Sequence, residues 1–319
     1  MTRLFSSAVV FLASTLALGL VASAQEEGPV PTQALVNVEP KSTVPANASD
    51  LTVQVNGHKE QLTAWEQVVP SNAQVALLID NGLRETVGRE LANLRNFVRG
   101  LPPGVEVLVG FMEYGHVVSA EPFTANHDLA ASTLHLPEGI PGMSASPYIC
   151  LADFLQHWPG TPGSSSSSGE MEPAPHKARF VLMITDGVDP YNGSTSVMNQ
   201  DSPYVDNAIL EAQRAGVPVY ALYFSDAGIR GGRADNSGQS YLAQVAEETG
   251  GTSLWEGVGN PVSMTPYLNQ FQSAVVETYI ATFNAPLGRN PQRDLVHVKF
   301  SAPKAKLHAP EEVRPGNRE

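Results

Sequence analysis

Four apolar runs constrain this chain more than any other feature. They are "QVALLID" (74–80), "VEVLVGFM" (105–112), "RFVLMITDG" (179–187) and "VPVYALYF" (217–224). A strand with one wet face alternates in polarity, whereas an unbroken run belongs to a strand covered on both faces, as in a parallel sheet between helix layers. The intervening segments supply that cover. Val87, Leu91, Leu94, Val98 and Leu101 form the stripe of an amphipathic helix, which Pro102, Pro103 and Gly104 stop. Further helices are expected over 126–135, 146–158, 203–215, 239–249 and 264–276, the second with Ser146 as N-cap and Pro147 in the first helical position. "HVVSAEPF" (116–123) pairs back on the second run, and "TSLW" (252–255) reads as a short strand. Strands alternating with helices predict an α/β fold, a doubly wound and mainly parallel sheet flanked by helices.

Both ends of this centre read as β. "LTVQV", Asn56-Gly57 and "KEQLTAWEQVV" make a hairpin signal, and "ETYIATF" (277–283), "DLVHVKF" (294–300) and "AKLHAP" (305–310) follow the last helix. Neither flank has a core of its own, so the two are expected to pair as a small β subdomain. The expected layout is a signal peptide at 1–24, a flexible lead at 25–50, a hairpin flank at 51–70 and the α/β domain at 71–276. A Ser/Gly/Pro-rich insertion interrupts that domain at 159–176, and a β flank (277–310) and tail (311–319) follow.

The first residues read as an export signal: Arg3, an apolar stretch over 4–21, and Ala22-Ser23-Ala24 before Gln25. The expected location is therefore periplasmic or secreted, with no transmembrane segment after cleavage. Asn47-Ala48-Ser49 and Asn192-Gly193-Ser194 would be glycosylation acceptors only in a eukaryotic secretory pathway. The mature chain carries a single cysteine, so it must be stable without an internal disulfide. With 19 Lys and Arg against 32 Asp and Glu, the formal net charge is −13, which argues against nucleic acid as a partner. A hydrophobic share of 42% with 16% charged residues is that of a folded chain.

Two of the central strands end in aspartate, Asp80 and Asp186. In open α/β sheets ligands bind beyond the strand carboxyl ends, so the pair converges on the expected crevice. An aspartate in that position also commonly caps the backbone that follows.

The segments "VALLIDNGLR", "GMSASPY" and "VLMITDGVD" resemble the von Willebrand factor type A domain, in the "VWFA-related" branch of bacterial exported proteins, over residues 51–310. The resemblance implies a Rossmann-like fold and an adhesion site built from Asp-x-Ser-x-Ser, a later Thr and a final Asp. There Mg²⁺ offers an open position to an acidic group of the partner, in an all-oxygen shell. Asp80 and Asp186 match the two aspartates, but Gly82 and Arg84 stand at the two serine positions. The Thr position falls on Ser144 or Ser146. The expected ligand-binding set is thus a degenerate adhesion site of Asp80, Gly82, Arg84, Ser144, Ser146, Asp186 and Asp189. No metal is expected as cofactor, Asp80 and Asp186 being the carboxylates to which Mg²⁺ would come. Arg84 is expected to pair with Asp80 or Asp186 in place of the cation; alternatively it begins the helix and faces solvent. The polar loop after Asp186 and the loop at 228–238, with Arg230 and Arg233, would shape specificity.

No enzyme is expected. G-x-S-x-G, H-E-x-x-H and G-x-x-x-x-G-K-[ST] are absent from the sequence, and Cys150 lies in a helical pattern with Leu151, Phe154 and Leu155. The expected function is binding of a protein or peptide at the strand carboxyl ends. The alternative is a structural part of a cell-envelope assembly acting through the β flanks, and a hydrolase is the rival enzymatic class.

Overall fold

The computed structural model describes residues 28–39, 42, 47–83, 85–139, 146–160, 177–191, 202–224, 232–257, 260–290 and 293–317. The signal peptide, and the Ser-rich insertion over 161–176, lie outside them. The strands in chain order are β1 (Val30–Val38), β2 (Thr52–Val55), β3 (His58–Glu60), β4 (Leu62–Gln67), β5 (Ala73–Asp80), β6 (Glu106–Glu113), β7 (His116–Val118), β8 (Ala178–Thr185), β9 (Val219–Tyr223), β10 (Thr278–Ala285), β11 (Val296–Ser301), β12 (Leu307–His308) and β13 (Glu312–Val313). The α-helices are α1 (Leu91–Arg99), α2 (His127–Ser132), α3 (Pro147–Gln156), α4 (Pro203–Ala215), α5 (Gly232–Thr249) and α6 (Thr265–Val276).

The apolar runs form one sheet in the order β7-β6-β5-β8-β9, parallel except for the β7 edge. Alternation along each strand divides its side chains between two cores. Val75, Leu77 and Ile79 of β5 pack with Phe180, Leu182 and Ile184 of β8 against α1, α2 and α6. Ala76 and Leu78, with Val181 and Met183, pack against α3, α4 and α5. Because both faces are dry, the strands need no polar alternation. Full burial of a Leu or Phe side chain contributes about 1.5–3 kcal/mol, so these two layers dominate stability.

The helix stripe is realised with a modification. A 3₁₀ segment, Glu85–Glu90, carries Val87 before α1 takes over with Leu94 and Val98. "TSLW" makes only an isolated bridge, Ala221 to Ser253, beside β9. α5 starts at Gly232, earlier than the Gly-Arg-rich composition suggested.

The remaining strands make two antiparallel sheets, β12-β1-β10-β4 and β13-β11-β2-β3, that enclose Val36, Val53, Val55, Phe283 and Val298 as a β-sandwich. The hairpin turn is as read: Asn56 (φ 49°) and Gly57 (φ 81°) join β2 to β3. β4, however, crosses to the other sheet and pairs with β10. A larger correction concerns the lead. Residues 30–38, expected within a flexible segment, are β1, paired with β10 over its length and with β12 on its other side. Ala34 and Val36 enter the sandwich core while Leu35 faces the α/β core, so β1 is covered on both faces. Among the described residues no helix is long and apolar enough to cross a membrane.

Candidate functional site

β5 and β8 run parallel with Ile79 opposite Ile184, which sets Asp80 level with Thr185. Both point to the α3–α5 face, the side of Leu78 and Met183. The Thr185 hydroxyl donates to Asp80 Oδ2 at 2.6 Å and accepts from the Gly187 N–H at 3.1 Å. Asp80 Oδ1 accepts from the Gly82 N–H at 2.7 Å. Asp186, partly exposed just past β8, accepts from the Val188 N–H at 2.9 Å. Each aspartate therefore closes a tight turn two residues ahead of itself, and the two turns lie side by side on adjacent strands.

Tyr148, in the first turn of α3, joins them. It is fully buried and donates its hydroxyl to Gly187 O at 2.7 Å. Burial first, then the carboxylates of Asp186, Asp189 and Asp80, push its phenol well above the usual range. The negative charge of all three expected aspartates thus acts on one phenol, which stays neutral. Asp189 is spent on structure: 2% exposed, it accepts from the Tyr191 N–H at 3.0 Å and from the Ser202 hydroxyl at 2.6 Å. Ser202 is the N-cap of α4, so Asp189 ties the loop to that helix.

Ser146 sits at the N-cap of α3 without capping it. Its hydroxyl is fully buried and meets no partner among the described residues. Arg84 and Ser144 lie outside the described residues, as do 192–201 and 225–231, which hold most of the polar loop and Arg230. The side chain of Arg233 is likewise outside them.

Three residues of this edge had no place in the sequence reading, Thr185, Tyr148 and Asn81, and Gly238, expected at the end of the 228–238 loop, lies inside α5. Buried Asn81 accepts from the Glu138 N–H at 2.8 Å through Oδ1 and from the Gly139 N–H at 3.0 Å through its backbone oxygen. It thereby holds the loop before α3 against β5. Gly238 brings α5 onto the Asp186–Gly187 turn; a Cβ there would lie 2.1 Å from Asp186 O. The signal for Thr185 was positional: it precedes Asp186 at the strand end.

The described donors fit a hexacoordinate Mg²⁺ poorly. Gly82 brings no side-chain oxygen, and both oxygens of Asp80 and of Asp189 already accept protons. Ser146 is the one buried hydroxyl here left without a partner among the described residues. Among those residues no group of three or more His, Cys, Asp or Glu side chains could hold a metal ion. Burial pushes the Cys150 thiol up to about 12, so it stays protonated at neutral pH.

No protein-family model matches this sequence, and no curated protein matches it significantly. Solved structures similar to the chain include proximal thread matrix protein 1 from the mussel byssus, with 15% identity, TM-score 0.41, and coverage of 66% of this chain and 48% of that one. The chain therefore spans about half the length of that protein. Another is a von Willebrand factor type A protein from Catenulispora acidiphila, with 10% identity, TM-score 0.39, and coverage of 91% and 75%. A third is the ArnB paralog VWA2 from Sulfolobus acidocaldarius, with 10% identity, TM-score 0.37, and coverage of 88% and 76%. The second is of the family that the sequence resembles. At such scores and identities nothing about ligand, partner or reaction passes from these proteins to this chain.

Proposed function

We propose that the chain is an exported, non-enzymatic binding module that takes a protein or peptide partner at the carboxyl ends of β5 and β8, without a metal ion. The observation that carries this reading is the pair of aspartate turns, Asp80 and Asp186, set side by side at the ends of β5 and β8 in the topological crevice of the sheet, with Tyr148 bonded to the second. Thr185, Tyr148 and Gly238 hold that edge rigid from three elements. Asp186 is the most solvent-facing of the three expected aspartates, and it is the residue on which a partner would bear. The donor set supports metal independence, since most of its carboxylate oxygens are satisfied by the protein itself.

The structural alternative, an envelope component acting through the β flanks, is favoured by one observation. The sandwich has its own core, and β4 and β3 stand as the outer strands of its two sheets. Affinity capture from an envelope extract separates the two readings. Wild type, Asp186→Ala and a variant with Thr63→Pro in β4 serve as baits, with and without chelator. Binding that is lost with Asp186→Ala, kept with Thr63→Pro and indifferent to chelator supports the first reading. The opposite mutational pattern supports the second, and loss with chelator overturns metal independence.

A further inference from the structure

All three exposed tyrosines among the described residues stand on one edge of the central sheet. Tyr114 (79% exposed) follows the last residue of β6, Tyr191 (58%) lies on the segment after β8, and Tyr204 (38%) is in the first turn of α4. β6 and β8 run parallel to β5, so all three belong to the carboxyl edge that carries Asp80 and Asp186. Tyr148, Tyr220, Tyr223 and Tyr241, by contrast, are 2% exposed or less. Tyrosine is enriched at protein interfaces, where a rigid ring brings apolar area and a polar tip.

Two of the three are built into a pair. The Tyr191 and Tyr204 rings meet edge to face with centroids 6.1 Å apart. Asp189 sets them there: its Oδ1 accepts from the Tyr191 N–H and its Oδ2 from the Ser202 hydroxyl, and Ser202 Oγ accepts from the Tyr204 N–H at 3.3 Å. One buried carboxylate thus holds both backbones while the rings stay in solvent. Rings so exposed bury little area of their own, so fold stability accounts for little of their placement.

The surrounding charge selects the partner. Residues 71–276 carry 21 Asp and Glu against 9 Lys and Arg, with Lys177 the one lysine. Arg95, Arg99 and Arg214 are engaged by Leu134 O, Asp128 and Glu211, and Lys177 lies at the opposite end of β8 against Glu106. The layer that presents the rings is therefore strongly negative, which favours a basic partner. Of the two basic side chains, the planar and weakly hydrated guanidinium stacks on an aromatic face better than an ammonium does.

We propose that the Tyr191–Tyr204 pair is the anchor of this edge, and that the partner is a basic protein segment whose arginine lies on the pair. The inference rests on the binding function proposed above and names the chemistry of its partner. An acidic segment would meet like charge, and an uncharged one would leave the negative field unanswered.

Fluorescence anisotropy of the full chain with short labelled peptides tests the proposal, glycine alternating in them with arginine, with lysine or with citrulline. The arginine peptide should bind saturably, the lysine peptide several-fold more weakly, and the citrulline peptide not measurably. Tyr191→Ala and Tyr204→Ala should each weaken arginine binding roughly tenfold and remove the preference over lysine. Both rings are exposed, so thermal melting should place these variants near wild type, separating lost binding from lost fold. Tyr114→Ala, on the neighbouring turn, should change the affinity little. Absence of saturable binding, equal affinity of wild type for the arginine and lysine peptides, or unchanged affinity in both Tyr191→Ala and Tyr204→Ala would each overturn it. Envelope capture distinguishes its failure from that of the binding reading: a partner lost with Asp186→Ala but kept with Tyr191→Ala would overturn the tyrosine anchor and leave the edge as the binding site.

Discussion

Thr185 and Asp80 meet across adjacent parallel strands, hydroxyl to carboxylate at 2.6 Å, with Thr185 wholly buried and Asp80 nearly so. The same hydroxyl receives the Gly187 N–H. One threonine therefore orients the first aspartate and fixes the turn that carries the second. Thr185→Val removes the hydroxyl's hydrogen bonds to a buried carboxylate and from the Gly187 N–H and should cost about 1–3 kcal/mol. Thr185→Ser should restore most of it. Urea unfolding of the three proteins measures the difference.

Gly238→Ala sets two effects against each other. In a helix interior Ala is favoured over Gly by about 0.8–1 kcal/mol. Here the new Cβ would stand 2.1 Å from Asp186 O, a contact with backbone that cannot turn aside. Overpacking of about 1–3 kcal/mol should win, giving net destabilisation. A gain in the urea midpoint would refute the close packing of α5 on the Asp186 turn.

Ser146→Ala should behave unlike the loss of an N-cap. Removing a working Ser cap costs about 1 kcal/mol, but this hydroxyl does not cap α3 and has no partner among the described residues. The variant should be as stable as wild type or slightly better. A drop of a full cap's worth in chemical denaturation would show that the hydroxyl is engaged.

Two carboxylates should pull the pH dependence of stability in opposite directions. At Glu106 burial raises the pKa, but hydrogen bonds from Lys177 and Gln74 outweigh it and hold the group below the usual range. Its contribution is present above the unfolded value of about 4.3 and is lost as pH falls through the lower folded value, so Lys177→Met should shift acid unfolding to higher pH. Glu248 is raised by burial and by the neighbouring acids Glu311, Asp206 and Glu312, with Gln244 opposing. Its stability term is present below the unfolded value and is lost as pH rises through the higher folded one. Glu248→Gln should therefore stabilise the protein at pH 7, with the gain vanishing below about pH 4. Denaturation midpoints across pH 3–8 check both signs.

Calorimetric titration with Mg²⁺ and Mn²⁺ should give no saturable heat in the micromolar range. Binding at that level would sink the metal-independent reading.

The doubly wound sheet was legible because burial on both faces leaves an unmistakable trace in "VALLI" and "VLMI". β1 was not, since "VPTQALVNV" has proline second and carries Thr, Gln and Asn. Those polar side chains find long-range partners: Asn37 donates to Ala274 O at 2.9 Å, and Thr32 accepts from the Gly316 N–H at 2.9 Å. Composition sees polarity there and cannot see who answers it. At the site the asymmetry is the same. Asp80 and Asp186 could be found because strand ends can be found. Tyr148 and Asn81 act through residues far along the chain and have no local pattern to betray them.

The sandwich also has a mechanical meaning. The chain leaves it at β4 and returns at β10 as hydrogen-bonded neighbours, with Gln67 opposite Tyr279 and the Val68 N–H on Thr278 O at 2.9 Å. The α/β layer is thus a long excursion whose two ends are clasped at one point. Each doubling of such an excursion costs only about 0.6 kcal/mol in closure entropy, so lengthening its loops hardly strains the clasp. Tension applied ahead of β1 and beyond β13 would first meet the bonds of Gly316 and Asn317 to β1 and the β11–β13 pair, then the β1–β10 and β11–β2 ladders, and the edge bearing Asp186 would stay unloaded until those ladders part.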